Sequence, residues 1–272
     1  SHYGKTPPCS LLIRDSGIKK VVIAATDPNP EVNGKGIDFL TSSGIDVVRG
    51  ILEEEALNLN RRFYHFMNTG RPYVILKWAE SADGFIDKIR APGDPVQPNW
   101  ITNHTARILV HKWRSEEMAI MAGVNTILSD NPGLDVRYWP GSNPLRVIID
   151  RKSRIPDHAR VLDDSTKTLV FSSRKRENRE NTEFIEIHPD ITLEEVLVKL
   201  AVKGIVSLFV EGGAALINSF IQKDLWNEAR FFIGDICFKK GVKAPELDGS
   251  HEIKFRNNSL CRAINNSGTP NK

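Results

Sequence analysis

An α/β fold is what this sequence predicts, on two observations. Short apolar runs that read as buried strands recur along the chain, at 73–76, 119–122, 145–149, 168–171 and 207–210, and each ends at glycine or a polar turn. Between them lie segments with helical spacing. Ala106, Leu109, Val110 and Trp113 fall at i, i+3, i+4 and i+7, and Leu193, Val196, Leu197 and Leu200 repeat the pattern.

The chain has 272 residues, enough for one large domain or two modest ones with a real core. A formal charge of +3 is too small to argue for nucleic acid or a membrane surface as a partner. Cys9, Cys237 and Cys261 are odd in number and far apart, so no disulfide framework is expected and a reducing, cytoplasmic setting fits. No apolar run approaches the ~20 residues that cross a bilayer, and the first residues have no apolar core of a signal peptide. The first residue is not methionine, so the chain is expected to be a piece of something longer or a processed product.

At the amino-terminal end, a helix ending near Gly17 precedes a strand at 21–25 and the turn Asp27-Pro28-Asn29-Pro30. A helix is expected over 35–43 and a strand over 46–49. One helix is expected over 53–67, with its acids first and Arg61, Arg62 and His65 last, as the helix dipole favours. The break at 68–72 sets a domain boundary.

Past it, the strand at 73–76 carries Lys77. A lysine there either reaches solvent at a sheet edge or faces a polar cleft, because a buried ammonium without a partner is costly. The Pro- and Gly-rich segment 90–99 is a loop that could lie over a site. Arg107, His111 and Arg114 form a polar stripe on the next helix, and for Arg107 a solvated face is the simpler reading. Arg114, in the last turn, can point into the same cleft as Arg137, and two guanidinium forks suit a phosphate.

The segment 119–137 holds the chain together. A buried strand stops at Gly123, and Asn125, Thr126, Ser129, Asp130, Asn131 and Arg137 follow within about a dozen residues, at the place where open α/β sheets hold ligands. Two basic loops, 150–154 and 172–176, end the next strands; each reads as a holder of a nucleotide 2′-phosphate or as a solvated charge run. The strand at 207–210 runs into Glu211-Gly212-Gly213 and a helix over 214–221, where close backbone approach and free amides suit a diphosphate. Glycine is also common at such joints for conformation alone. Neither a Gly-x-Gly-x-x-Gly fingerprint nor a Walker loop is present, so a dinucleotide would bind outside the standard Rossmann arrangement. Residues 230–238 and 252–263 alternate in the manner of strands.

Taken together, these strings resemble the bifunctional deaminase/reductase of bacterial riboflavin biosynthesis, the RibD type. Ser1-His2-Tyr3-Gly4-Lys5-Thr6-Pro7-Pro8-Cys9 is similar to its zinc segment, and Asp27-Pro28-Asn29-Pro30 with Gly34-Lys35-Gly36 to the end of its deaminase domain. Arg71-Pro72-Tyr73-Val74, Ser81-Ala82-Asp83-Gly84, Trp100-Ile101-Thr102, Asn125-Thr126 with Asp130-Asn131-Pro132, and Val210-Glu211-Gly212-Gly213 resemble its reductase domain.

The resemblance implies a dihydrofolate-reductase-like mixed sheet flanked by helices, preceded by a partial cytidine-deaminase-like α/β domain. It divides the chain into a deaminase remnant with linker helix at 1–68, a reductase domain at 69–265 and a loose tail at 266–272. It implies NADPH-dependent reduction of 5-amino-6-(5-phosphoribosylamino)uracil to the ribitylamino compound, by a homo-oligomer acting on a small phosphorylated pyrimidine.

Carried over by position, Lys77, Asp130 and Glu211 are the expected catalytic residues, with Lys77 the expected proton source. Arg114, Leu134, Arg137 and Glu211 are expected to hold substrate. Ala79, Trp100, Thr126, Asp130, Arg151, Gly213, Ala214, Ala215 and Ser219 are expected to hold the cofactor. A substrate-binding serine of the family falls at Pro98, which has no hydroxyl, so the phosphate grip is expected to shift to Asn99 or the arginines. Cys9 matches one zinc ligand. The histidine, glutamate and other cysteine of that site have no counterpart here, so zinc and deamination are expected only of a full-length parent. The rival readings are a dihydrofolate-reductase-like enzyme and a non-catalytic assembly module.

Overall fold

A computed structural model describes residues 7–29, 34–247, 251–255 and 258–265. The readings made on Ser1 to Thr6, on Pro30 and on the tail 266–272 lie outside the described residues. The chain divides into two compact units, Ser1–Arg71 and Pro72–Lys272. In the described residues, no helix is long and apolar enough to cross a membrane.

The first unit runs α1 (Cys9–Asp15), β1 (Lys20–Ile23), α2 (Lys35–Ser42), β2 (Asp46–Arg49), α3 (Glu53–Leu59) and α4 (Arg61–Thr69). β1 and β2 pair in parallel, Val21 opposite Val47 and Val22 opposite Val48. Where one helix was expected over 53–67 there are two. At Asn60 the backbone leaves helical geometry (φ −102°, ψ 20°), and its amide and side chain both turn back to the Ala56 carbonyl. The acidic first turn of α3, Glu53 to Glu55, stands where the helix dipole prefers it.

The second unit is built on a nine-stranded sheet. Its elements are β3 (Tyr73–Glu80), β4 (Phe85–Asp87), α5 (His104–Glu116), β5 (Ala119–Gly123), α6 (Val124–Asp130), β6 (Leu145–Asp150), β7 (Thr168–Ser172), β8 (Thr182–Glu186), α7 (Leu193–Val202), β9 (Ser207–Glu211), α8 (Ala214–Gln222), β10 (Glu228–Ile233), β11 (Val242–Lys243), β12 (His251–Phe255) and β13 (Asn258–Ile264). The strand order is β12-β13-β10-β3-β9-β5-β6-β7-β8, parallel from β10 to β8, with β13 and β12 added antiparallel. β4 and β11 form a separate antiparallel pair. The mixed sheet flanked by helices is the architecture expected from the sequence.

Parallel strands covered on both faces must be apolar on both, and β3, β5, β6, β7, β9 and β10 are buried along almost their whole length. Leu76, Met121, Val147, Phe171 and Val210 face Val196, Leu197, Leu200, Ile217 and Phe220 of α7 and α8. Their chain neighbours Ile75, Ile120, Ile148, Val170 and Phe209 face Ala106, Val110 and Trp113 of α5. Each such side chain contributes roughly 1.5–3 kcal/mol when fully buried. β10 does not alternate as expected; it is buried on both faces because Ala229 and Phe231 pack into the core under α7 and α8 and Phe232 into the core under α5. β8 was not expected at all. It is an edge strand, and its Thr-Glu-Phe-Ile-Glu sequence shows the mixed burial of an edge.

β9 follows β8 in sequence yet enters the sheet between β3 and β5. The carboxyl ends of three strands from distant parts of the chain therefore stand side by side, the position at which such sheets bind ligands.

Candidate active site

Side chains alternate across a strand, so Tyr73, Ile75 and Lys77 of β3 face α5, as do Phe209 and Glu211 of β9. Lys77 and Glu211 are register partners at the carboxyl ends of these two strands. From the last turn of α5, Arg114 closes the pair: its Nε donates to Glu211 Oε1 at 3.0 Å and its Nη2 to Oε2 at 2.6 Å. The Arg114 and Glu211 side chains are 11% and 12% exposed, and so the pair is largely shielded from solvent.

Arg114 also donates through Nη1 to the Asp135 carbonyl at 2.8 Å, and the Asp135 carboxylate pairs with the Arg137 guanidinium. His111, one turn before Arg114 on α5, is buried and accepts the Arg137 backbone N–H at its Nδ1, 2.9 Å away. Lys77, His111, Arg114, Asp135, Arg137 and Glu211 thus share one electrostatic neighbourhood.

Burial pushes Glu211 upward, but Arg114 and Lys77 outweigh it and hold the carboxyl at about 2. Burial lowers Lys77 below the ordinary lysine value; Glu211 opposes that shift and Arg114 adds to it. Burial lowers His111 to about 4 with help from Arg114 and Arg137, so the ring is neutral near pH 7.

Asp130 stands in a different cluster. At the end of α6 it accepts from Arg90 Nη2 at 2.7 Å, and Arg90 also reaches Asp87 at 2.9 Å, the Ser129 carbonyl at 2.8 Å and the Gln97 carbonyl at 2.9 Å. Burial raises the Asp130 carboxyl, Arg90 lowers it and Asp87 raises it further. One arginine thereby ties the 88–100 loop down beside α6. Asn99, an expected stand-in for the missing serine at Pro98, gives its side-chain amide to Asp87 at 2.6 Å.

Four of the expected cofactor positions, Thr126, Gly213, Ala214 and Ala215, lie at two strand-to-helix turns. Gly123 immediately precedes α6 and Gly213 immediately precedes α8, neither helix is capped by a side chain, and the Gly213 N–H donates to Thr126 Oγ1 at 3.0 Å. A Cβ on Gly212 would stand 3.3 Å from Leu216 Cδ2, so glycine there lets the turn pack closely against α8. Ala214 and Ala215 supply further amides at the start of α8. This glycine-lined pair of turns fits the phosphates of a pyridine nucleotide. Ala79 is half-buried two residues past Lys77 on the same face.

Trp100 is 56% exposed. Arg107, assigned above to a solvated face, instead places its guanidinium 4.5 Å from the centre of the Trp100 ring. Leu134 is buried with φ 49°. Ser219 spends its hydroxyl on the Ala215 carbonyl of its own helix. Arg151 and Arg174 are both exposed; Arg151 donates to the Ile191 carbonyl at 2.8 Å, whereas the Arg174 guanidinium makes no hydrogen bond among the described residues. The two basic loops are one surface, since Ser153 Oγ bonds Ser172 Oγ and accepts the Arg174 N–H.

Arg90, Asp87, Asp135 and the hydrogen-bonding role of His111 were not anticipated from sequence. Only His111 left a signal, its place in the i, i+4, i+7 stripe with Arg107 and Arg114.

Residues 72–265 match the RibD C-terminal domain. Riboflavin biosynthesis protein RibD of Bacillus amyloliquefaciens is 40% identical over 257 residues, 91% of this chain and 68% of that protein. The chain belongs to the RibD family. RibD of Aquifex aeolicus is 35% identical over 253 residues, 91% of this chain and 70% of that one. In structure, the Thermotoga maritima diaminohydroxyphosphoribosylaminopyrimidine deaminase/5-amino-6-(5-phosphoribosylamino)uracil reductase superposes with a TM-score of 0.84 at 33% identity, over 96% of this chain and 75% of that chain. RibD membership accounts for the mixed sheet and for the order of the motifs. The RibD zinc segment is another matter. Cys9 is exposed at the start of α1, and no cluster of three metal-ligating side chains occurs among the described residues, so these residues do not furnish a zinc cage.

Proposed function

We propose that this chain reduces 5-amino-6-(5-phosphoribosylamino)uracil to the ribitylamino product with NADPH, in the cytoplasm and as a homo-oligomer. The observation that carries the reading is the register pair of Lys77 and Glu211 at the end of neighbouring strands, closed by Arg114 and bordered by Arg137.

NADPH, when bound along the Gly123 and Gly213 turns, supplies the hydride. The protein's own part is alignment and charge. Opened at its anomeric carbon, the ribosylamino group presents an electrophilic carbon bonded to a heteroatom, and reduction requires a proton at that heteroatom. Lys77 supplies the proton. Desolvation beneath the sheet end brings its ammonium closer to neutrality, and Glu211 keeps it charged in the resting site. Glu211, ionised by Arg114, accepts hydrogen bonds from the sugar hydroxyls.

Arg137, 39% exposed at its side chain, is the arm that reaches the substrate phosphate. Arg114 supports it with the two N–H groups left after Glu211 and Asp135 are served. Asp130 and Arg90 act at the loop beside α6, where Asp130 meets the cofactor ribose, and Trp100 offers its open face to a planar ring. Arg174, in preference to the committed Arg151, meets the 2′-phosphate.

NADPH oxidation measured with the ribosylamino substrate and with dihydrofolate tests the reading. Turnover with the first and none with the second is expected. Failure of the chain to bind NADPH in a thermal-shift titration overturns it in favour of an assembly module.

A further inference from the structure

We propose that His111 is a positioning residue of the anion grip, its Nδ1 accepting the Arg137 backbone N–H and so fixing where the Arg137 guanidinium stands beside Arg114. The proposal rests on the reading of Arg137 and Arg114 as the phosphate-holding arms.

Residues 131–144 contain neither helix nor strand, so no backbone ladder sets the place of Arg137. Three hydrogen bonds do. The Val136 N–H donates to Asn143 Oδ1 at 2.7 Å, the Asp135 carbonyl accepts from Arg114 Nη1 at 2.8 Å, and the Arg137 N–H donates to His111 across 26 residues of chain. Of these, only the last acts on the Arg137 backbone itself, while the guanidinium at the end of its side chain pairs with the Asp135 carboxylate. His111 is 4% exposed, and the Tyr138 ring meets it edge-on with centroids 4.8 Å apart, so the imidazole is held in place.

Chemistry narrows what this position accepts. Its charged surroundings are Arg114 on its own helix, Arg137 and Asp135 on the following loop, and Glu211 on β9. A cation there would face two guanidinium groups. A carboxylate would pair with them and take the donors a phosphate needs. A neutral acceptor avoids both, and the depressed basicity of the ring keeps it in that form, with its proton on Nε2.

The test compares steady-state reduction by H111L, H111Q and R137A in the full chain. H111L removes the acceptor and should raise KM for the phosphorylated substrate about 10-fold, with kcat and KM for NADPH within about twofold of wild type. H111Q restores a neutral acceptor and should return KM to within about twofold. Unchanged substrate KM in folded H111L, with R137A raising it, overturns the role of His111 alone. Unchanged KM in R137A removes the grip, and the proposal falls with it. Should H111L not fold, the ring ¹⁵N shifts of His111 in the wild-type protein decide. An unprotonated, hydrogen-bonded Nδ1 at pH 7 is expected, and a protonated one overturns the assignment.

Discussion

Glu211 gives both carboxylate oxygens to Arg114, while Lys77, its register partner on the adjacent strand, faces the same carboxylate with no hydrogen bond of its own among the described residues. The bidentate partner fixes the carboxylate, and the ammonium is left without a side-chain partner, as the proposed proton donor requires. On that proposal, structural and chemical duties are divided between two cations around one anion.

That division predicts the pH profile. A proton donor must carry its proton, and burial lowers the value at which Lys77 loses it. Turnover should therefore fall as pH rises, at a pH below the ordinary lysine range. Lys77→Met should lower kcat by about 10²–10⁴ while leaving the Kd for NADPH near wild type. Equal turnover in the variant would remove Lys77 from the reaction.

Glu211 predicts acid sensitivity. Its carboxyl is depressed from 4.5 to about 2 in the fold. The stabilisation is present above the unfolded value and is lost as pH falls from about 4.5 toward 2, up to about 3 kcal/mol at ~1.4 kcal/mol per unit. Glu211→Ala leaves the Arg114 guanidinium uncompensated in a largely closed site, at a cost of about 3–5 kcal/mol. Denaturant midpoints across pH 2–7 should show a steeper acid loss in wild type than in the variant. Parallel curves would contradict the pairing.

Arg90 predicts a tethered loop. It holds Asp87, Gln97, Ser129 and Asp130 at once, with its side chain 20% exposed. Arg90→Ala should cost about 1–3 kcal/mol, and leave Asp130 partly buried with no counter-charge. Amide exchange in 88–100 should quicken and the Kd for NADPH rise. Exchange as slow as in wild type would mean that the loop is held by other contacts.

How far the sequence foretells these features follows from the range of each signal. The buried strands and the inner faces of α5 and α7 are legible because parallel strands and amphipathic helices write their burial into local spacing, as at Val110 and Leu197. Arg114 is legible by its helical register with His111. β8 is not, because Glu183 and Glu186 flank Phe184 and Ile185 at a sheet edge, a pattern shared with loops. The break at Asn60 is equally silent, since asparagine neither ends a helix by rule nor marks a glycine-like turn. Arg90 meets Asp130 across 40 residues, and only the fold brings such partners together. The neutrality of His111 follows from its burial, with Arg114 and then Arg137 adding to it, and no local spacing relates Arg137 to His111.

A final prediction concerns Gly234, which follows β10. A Cβ there would overlap the carbonyl oxygen of Ile101 and stand 2.8 Å from Ile101 Cγ2. The Gly234 N–H also donates to the Glu80 carbonyl at 2.8 Å, continuing the β10–β3 ladder past the strand ends. The glycine is therefore needed for close approach of backbone to backbone, not for an unusual turn. Gly234→Ala must displace the chain at Ile101, next to the exposed Trp100. It should cost about 1–3 kcal/mol, the usual range for overpacking. It should also weaken NADPH binding more than Gly204→Ala, a change that meets no neighbour within 4 Å but forces an alanine to φ 78°. Equal NADPH affinity in the two variants, measured by fluorescence titration, would show that the Gly234–Ile101 contact does not support the cofactor face.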